Sequence, residues 1–412
     1  MRLRSLQAHI AMHVLVISRS FPQHRHGGME QHAQDVVDGL MAAGHRVSVL
    51  TTPFPSEEKA APLAVNGELI VLGKKSGAYD LPFVKDFSRR GAREVTRIQP
   101  DIIHAQGFAG IAAERYLRGI APIITTLHGT LWSETPLREG GGGTLPDLWR
   151  FKHRFIFQPL WKKFLQRDPQ LIVDSQFTVK ELERELRRPL KHAPTVIPLG
   201  FQTDHIERAA ADRKAARAGW GIADNQILFA SIGRLTRIKN FQLIVEGFSR
   251  FSGSPEGNTR LIIAGEGPEK NNLPRLNKTA ETLCDSRIIQ LPGSVSQDRA
   301  AELLAAADLF VNADGGTPAF GLANAEALVA GTPVLTFDTG AHREVVADGD
   351  DGELIPQDNL GAFTTAMKRW AEELPEAPEA RLARAERAQR RFARSLMIER
   401  LLAAYTAVGA KP

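Results

Sequence analysis

The sequence predicts an α/β protein built as two Rossmann-like, doubly wound domains, and three observations carry that prediction. Short β-branched runs alternate with amphipathic helical stretches through the first 200 residues, the pattern of parallel strands covered by helices on both faces. The pattern pauses at LGFQTDHIER, Leu199 to Arg208, and restarts with QILFASI. A chain of 412 residues is also too long for one ordinary core and suits two domains of about 200 residues each.

Composition narrows the class. Hydrophobic content of 43% and charged content of 24% are those of an ordinary globular protein. A single cysteine, Cys284, leaves no intramolecular disulfide and no cysteine-built metal site, which fits a reducing cytoplasm. The opening MRLRSLQAHIAMHVLVISRSF resembles a basic signal start. His9, His13 and Arg19 interrupt it, so HVLVIS reads as a first strand, and no apolar run is long enough to span a bilayer. Net charge is uneven: residues 1–200 carry 27 basic against 19 acidic groups, and residues 201–412 carry 25 against 28. The first half is therefore expected to meet something anionic. Zinc-finger, RNA-recognition and basic-zipper patterns are absent, which argues against nucleic acid.

The first half opens with HVLVIS, then the loop RSFPQHRHGG, then a helix with Met29, Ala33, Val36, Val37, Leu40 and Met41 on one face, closed by Gly44 before RVSVLTT. Gly27 and Gly28 stand at the helix start, where a backbone can approach a ligand, although a flexible loop has the same need. The full dinucleotide fingerprint is missing. Further strands are LIVL, DIIH, PIITTL, LIVD and TVIP. Two end in histidine, His104 and His128, at the strand ends where open α/β sheets bind ligands; a satisfied structural histidine is the alternative for each.

From Glu139 the chain reads EGGGGTLPDLWRFKHRFIFQPLWKKFLQR. Between Leu148 and Arg167 there are six basic residues and no acid, and Phe157, Leu160, Trp161, Phe164 and Leu165 have the spacing of one apolar helix face. Pro159 would disturb the first turn. Segment 148–167 is either a helix packed on the sheet or a basic amphipathic helix on an anionic membrane.

In the second half, SIGRLTRIKN places Arg234 and Lys239 after one strand and before the helix FQLIVEGFSRF. A guanidinium and an ammonium five residues apart in a crevice loop can converge on a diphosphate, and solvated surface charges are the alternative. Strands RLIIAG, RIIQL, ADLFVN and PVLTF follow. Gly265, in GEGP, gives a strand end where a flat base or sugar can come close. FGLANAEALVAGTPVLTF reads as a glycine-opened loop, a short helix with one acid, a turn and a buried strand. Such a helix start offers N–H groups and a positive dipole end to an anion, while Glu326 one turn on can accept bonds from sugar hydroxyls. The segment from Pro375 is a helix or helix pair ending LLAAY.

In this order, GGMEQH, DIIHAQ, TTLHGT, LIVDSQFTVKEL, VIPLG, GRLTRIKN, IIAGEGP, AADLFVN, FGLANAEALVAGTPV and GAHREVV resemble the family-4 glycosyltransferases of the GT-B fold over nearly the whole chain. The resemblance implies retaining sugar transfer from a nucleotide-diphosphate sugar, a UDP- or GDP-sugar, to an acceptor hydroxyl, with no metal or cofactor required. It implies domains at 1–199, for the acceptor, and 200–385, for the donor, facing across a cleft, with 386–412 crossing back. By residue, it implies Arg234 and Lys239 on the donor diphosphate and Glu326 on the ribose. Phe320, Gly321, Leu322 and Gly265 fall in the donor loops, Gly27 and Gly28 in the loop closing over the donor, and His128 at the transferred sugar. The basic first half and segment 148–167 favour a lipid-linked or anionic glycan acceptor, with peripheral contact at the inner face of the cytoplasmic membrane as an option through 148–167.

One departure stands out. The family often places a glutamate eight positions before Glu326, and here Pro318 offers neither a carboxylate nor an N–H. Either Asp314, in NADGGTPAF, reaches the same sugar, or the donor sugar does without the contact, or catalysis is lost. A GT-B sugar-nucleotide epimerase and a non-catalytic sugar-nucleotide-binding protein remain the alternatives.

Overall fold

The computed structural model describes residues 11–24, 27–55, 63–77, 81–130, 153–251 and 258–410. The loop EGGGGT and the start of segment 148–167, through residue 152, lie outside them. Two all-parallel sheets form the two domains. The N-terminal sheet has seven strands: β1 (His13–Ile17), β2 (Arg46–Thr51), β3 (Leu69–Val71), β4 (Ile102–Gln106), β5 (Ile123–Leu127), β6 (Leu171–Val173) and β7 (Thr195–Val196), in the order β3-β2-β1-β4-β5-β6-β7. The helices that shape the site here are α1 (Gly28–Ala42), α2 (Gln158–Gln166) and α3 (Gln176–Leu186).

The C-terminal sheet has six strands: β8 (Ile227–Ile232), β9 (Thr259–Ala264), β10 (Ile289–Gly293), β11 (Leu309–Asn312), β12 (Val334–Phe337) and β13 (Gly352–Ile355), ordered β10-β9-β8-β11-β12-β13. Of these only β13 was not foreseen; GELI is too short and polar to announce itself. Helix α4 (Phe241–Phe251) follows β8, and α5 (Leu322–Val329) connects β11 to β12. In each sheet the strand order reverses beside the first strand, between β1 and β4 and between β8 and β11. The crevice at such a switch point is where an open α/β sheet receives a ligand.

The closing segment is a helix pair, α6 (Pro378–Phe392) and α7 (Arg394–Ala407), divided at Ala393. Ala388 and Phe392 of α6 join the core of the C-terminal domain with Ala325, Leu328 and Val329 of α5. Met397, Ile398, Leu401 and Tyr405 of α7 join the N-terminal core with Val14, Val16, Val36 and Leu40. The helix pair thus ties one core to the other. The segment near Leu199 is equally anchored: Phe201 is buried, its N–H donates to the Phe392 carbonyl at 3.1 Å, and the two rings stack at 6.4 Å.

Segment 148–167 is split by its environment. Pro159 sits in the first turn of α2, which continues directly from a π-helical turn over His153–Phe157. Trp161, Phe164 and Leu165 are core residues, packed with Leu127, Leu171 and Leu182. Phe155, Ile156, Phe157 and Leu160 are exposed instead, so the single apolar face expected from spacing is two surfaces.

Phe392 is 2% exposed, stacked on Phe201 and edge-on to Phe320 at 5.9 Å. Phe392→Ala is expected to cost about 3–5 kcal/mol, read as a clear drop in the thermal unfolding midpoint; an unchanged midpoint contradicts this packing.

Candidate active site between the two switch points

In the N-terminal domain, the ends of β1, β4 and β5 and the start of α1 surround a recess lined by Ser18, Ser20, Glu30, Gln106, Phe108 and His128, among others. His128 directly follows β5, and its side chain is 6% exposed. Its Nδ1 lies 2.9 Å from Asp174 Oδ2 and its Nε2 3.1 Å from Gln106 Oε1. Glu30 is buried and accepts a hydrogen bond from the Ser20 hydroxyl at 2.6 Å. His104, expected at a strand end, lies inside β4 and is fully buried. It contacts Thr126 Oγ1 and the Tyr405 hydroxyl, each at 2.7 Å. Strand β4 runs two residues further than expected, so the residue at its mouth is Gln106.

In the C-terminal domain, Arg234 and Lys239 follow β8, as read from the sequence. Arg234 is exposed. Lys239 Nζ lies 2.6 Å from Asp314 Oδ2, and Asp314 also accepts from the Gly316 N–H at 3.0 Å. Burial pushes the Asp314 carboxyl up, but the Lys239 ammonium and the Gly316 N–H outweigh it and hold the group below the usual carboxylate range. Asp314 is 4% exposed and supports the Lys239 ammonium.

Gly321 is the N-cap of α5, with φ of 98° and no side-chain cap. A β-carbon there would lie 2.9 Å from the His342 ring, so both the conformation and the space require glycine. The Asn324 and Ala325 N–H groups close onto the Gly321 carbonyl, and the first-turn N–H of Leu322 keeps the anion-facing character of a helix start. The Phe320 ring is 5% exposed and belongs to the core, so that residue can offer a ligand only its main chain. Gly265 is likewise explained by its own chain: a β-carbon would lie 1.9 Å from the Gly233 carbonyl oxygen, so the close approach is between two strand ends.

Helix α1 joins these groups. Gly28, His32 and Asp35 are spaced i, i+4, i+7 and share one helix face. A β-carbon on Gly28 would lie 3.7 Å from Leu322 Cδ2, which puts the N-terminal glycine loop against the start of α5. Gly27 precedes it, with its Cα covered by Glu30 Oε2. The His32 ring stands edge-on to His128, centroids 4.7 Å apart. Asp35 is close enough to act on Glu326, whose half-buried carboxyl is pushed up to about 7 by desolvation first and by the Asp35 charge second. Asp35 itself is pushed up to about 6 by burial.

Across the domain boundary, the Glu344 carboxylate accepts the N–H groups of Gln176 and Phe177 at 2.8 and 2.7 Å, capping α3. The hydroxyl of Ser175, the N-cap of α3, donates to the Ala319 carbonyl at 2.6 Å. Sequence reasoning gave no role to Glu30, His32, Asp35, Gln106, Asp174, Ser175 or Glu344. Asp174 and Gln106 had a usable signal, a polar residue at the end of a buried strand; Glu30, His32 and Asp35 were hidden inside a helix read only for its apolar stripe.

Two parallel α/β domains with their switch points opposed, a cation pair on one side and a histidine recess on the other, make up the GT-B fold. The model for Glycosyltransferase Family 4 matches residues 26–205 and that for Glycosyl transferases group 1 matches residues 212–391. The chain is 30% identical over 348 residues to the D-inositol 3-phosphate glycosyltransferase of Nocardia farcinica, covering 80% of this chain and 73% of that protein. It is 26% identical over 342 residues to the alpha-monoglucosyldiacylglycerol synthase of Acholeplasma laidlawii, covering 79% and 80%. Anabaena HepE in complex with UDP and glucose superposes with a TM-score of 0.72 at 16% identity, covering 96% of this chain and all of that one, a likeness of fold. The chain belongs to the family-4, group 1 glycosyltransferases.

The elevated Glu326 carboxyl gives a stability prediction. Its folded value exceeds the unfolded one, so the native state holds the extra proton, and stability is lost as pH rises from about 4.5 to about 7. Glu326→Gln should therefore be more stable than wild type at pH 8, by on the order of 2–3 kcal/mol. The gap should close below pH 4.5. Parallel thermal melts check it; equal melting at pH 8 contradicts the placement of Glu326.

Proposed function

We propose that this chain is a retaining, metal-independent glycosyltransferase that moves a hexosyl group from a UDP- or GDP-sugar to an acceptor hydroxyl in glycolipid, lipopolysaccharide or surface-polysaccharide assembly. The observation that carries the reading is the shared face of α1, which sets the glycine loop against α5, and His32 against His128, with Asp35 beside Glu326. In this reading the donor diphosphate lies against Arg234, Lys239 and the α5 start, with Glu326 on the ribose and His128 at the transferred sugar. Fixed donors aimed at the departing diphosphate supply the main stabilisation of the transition state. A leaving-group oxygen takes the acceptor proton on the same face of the sugar, so no enzymic nucleophile takes part. Binding of UDP and glucose by a protein of the same fold supports the donor class. The lipid product in the name of one relative and the inositol phosphate in that of another support a membrane-linked or anionic acceptor.

The acceptor side has its own support. Exposed Phe155, Ile156, Phe157 and Leu160 stand beside exposed Lys162 and Lys163, a surface suited to the boundary of an anionic bilayer. Among the described residues no helix is long and apolar enough to cross a membrane, so contact in this reading is peripheral, at the cytoplasmic face.

Transfer from a panel of UDP- and GDP-sugars to glycolipid and inositol phosphate acceptors tests the reading. Wild type should transfer with retention in the presence of EDTA, and Arg234→Ala or Lys239→Ala should lower kcat/KM at least about 100-fold. Donor conversion without acceptor would instead mean an epimerase, and donor binding without turnover a binding protein. Flotation with anionic vesicles should be lost in Phe157→Ser/Leu160→Ser; flotation equal to wild type returns this surface to ordinary solvent exposure.

A further inference from the structure

A continuous line of buried hydrogen bonds runs from the recess to the crossing helix. It links Asp174 Oδ2 to His128 Nδ1 at 2.9 Å and His128 Nε2 to Gln106 Oε1 at 3.1 Å. It continues from Gln106 Nε2 to His104 Nε2 at 3.2 Å and from His104 Nδ1 to the Tyr405 hydroxyl at 2.7 Å. Asp174, Gln106, His104 and Tyr405 are each at most 7% exposed, so the line is shielded from water.

The proton positions along it are constrained. Burial pushes the His104 imidazole down to about 3, so it is neutral and carries one N–H. Its Nε2 lies 3.2 Å from Gln106 Nε2 and 2.7 Å from Thr126 Oγ1; as the acceptor of the Gln106 amide N–H and of the Thr126 hydroxyl, it carries its own proton on Nδ1, donated to the Tyr405 oxygen. Gln106 then presents only its oxygen to His128 Nε2, and Asp174 presents a carboxylate to His128 Nδ1. Both contacts need an N–H from His128, and a neutral imidazole has only one. Of the other groups facing this ring, His32 on α1 is held neutral by burial and then by the His128 charge, while Glu30 and Arg19 share the recess.

We propose that this hydrogen-bond line holds His128 doubly protonated at the wall of the recess, and that Tyr405 on α7 is a positioning residue that sets this charge. The consequence for transfer rests on the function proposed above. An imidazolium with both N–H groups engaged has no lone pair for the acceptor proton, so His128 acts by its fixed charge and not as a base. When it loses a proton to solvent, the line reverses. Gln106 turns its amide over, His104 carries its proton on Nε2, and the Tyr405 O–H turns to donate to Nδ1.

Nitrogen-15 NMR of histidine-labelled wild type at pH 7 reads the protonation directly, whatever the donor or acceptor proves to be. Two protonated ring nitrogens on His128 are expected, and one overturns the proposal. The pH dependence of kcat reads the role of the line. Tyr405→Phe leaves the His104 Nδ1–H without an acceptor in the charged arrangement, and should move the alkaline limb down by about one pH unit. Gln106→Glu offers only acceptors to His128 and should move that limb up, also when combined with Tyr405→Phe. A limb that stays in place in Tyr405→Phe overturns the role of Tyr405, and one that stays in place in Gln106→Glu overturns the hydrogen-bond line as the source of the charge.

Discussion

The structure depends on one helix having to satisfy two surfaces at once. On α1, Ala33, Val36, Val37 and Leu40 form the apolar stripe that seats the helix in the N-terminal core. Gly28, His32 and Asp35 form a second stripe of small and polar groups that meets Leu322, His128 and Glu326. The first stripe is ordinary hydrophobic burial. The second carries an energetic cost, because it places Asp35 and Glu326 near each other and leaves both ring nitrogens of His32 without a hydrogen-bond partner among the described residues. Part of that cost is offset by Arg394, 3.4 Å from Asp35, and by the Gln202 N–H at 3.3 Å. A binding surface kept at the expense of stability is what a functional site commonly requires.

The other domain is held to this helix by contacts of a different kind. Glu344 caps α3, and Ser175 reaches the Ala319 carbonyl one residue before Phe320. The loop that opens α5 is therefore fixed from the N-terminal domain as well as by its own core. Helix α7 completes the frame by burying its apolar residues in the first core, while Tyr405 extends the hydrogen-bond line toward His128. Lys239 is oriented by Asp314 from the neighbouring strand end. Each candidate ligand group is thus positioned by an element distant in sequence.

That arrangement explains what was legible in the sequence. The strands and most helices were, because their signals are local: β-branched runs, 3.6-residue spacing and glycine at turns. Arg234, Lys239, Gly321 and His128 were legible because each stands at a strand or helix end. His104 was misplaced because strand β4 extends two residues beyond the run DIIH, and a buried histidine looks the same in sequence as an exposed one. Gly265 also packs on Gly233 and the Phe320 ring on Phe392, packing roles that the sequence does not announce. The polar face of α1 could not be read, since its partners come from β5 and α5, and only the fold brings them together.

The most direct measurement is a structure of the full chain with a UDP- or GDP-sugar bound. The diphosphate is expected between Arg234, Lys239 and the start of α5, the ribose on Glu326, and the sugar against His128 with α1 as the common wall. A nucleotide bound away from Glu326, or a sugar that leaves His128 and the α1 face untouched, would contradict this placement.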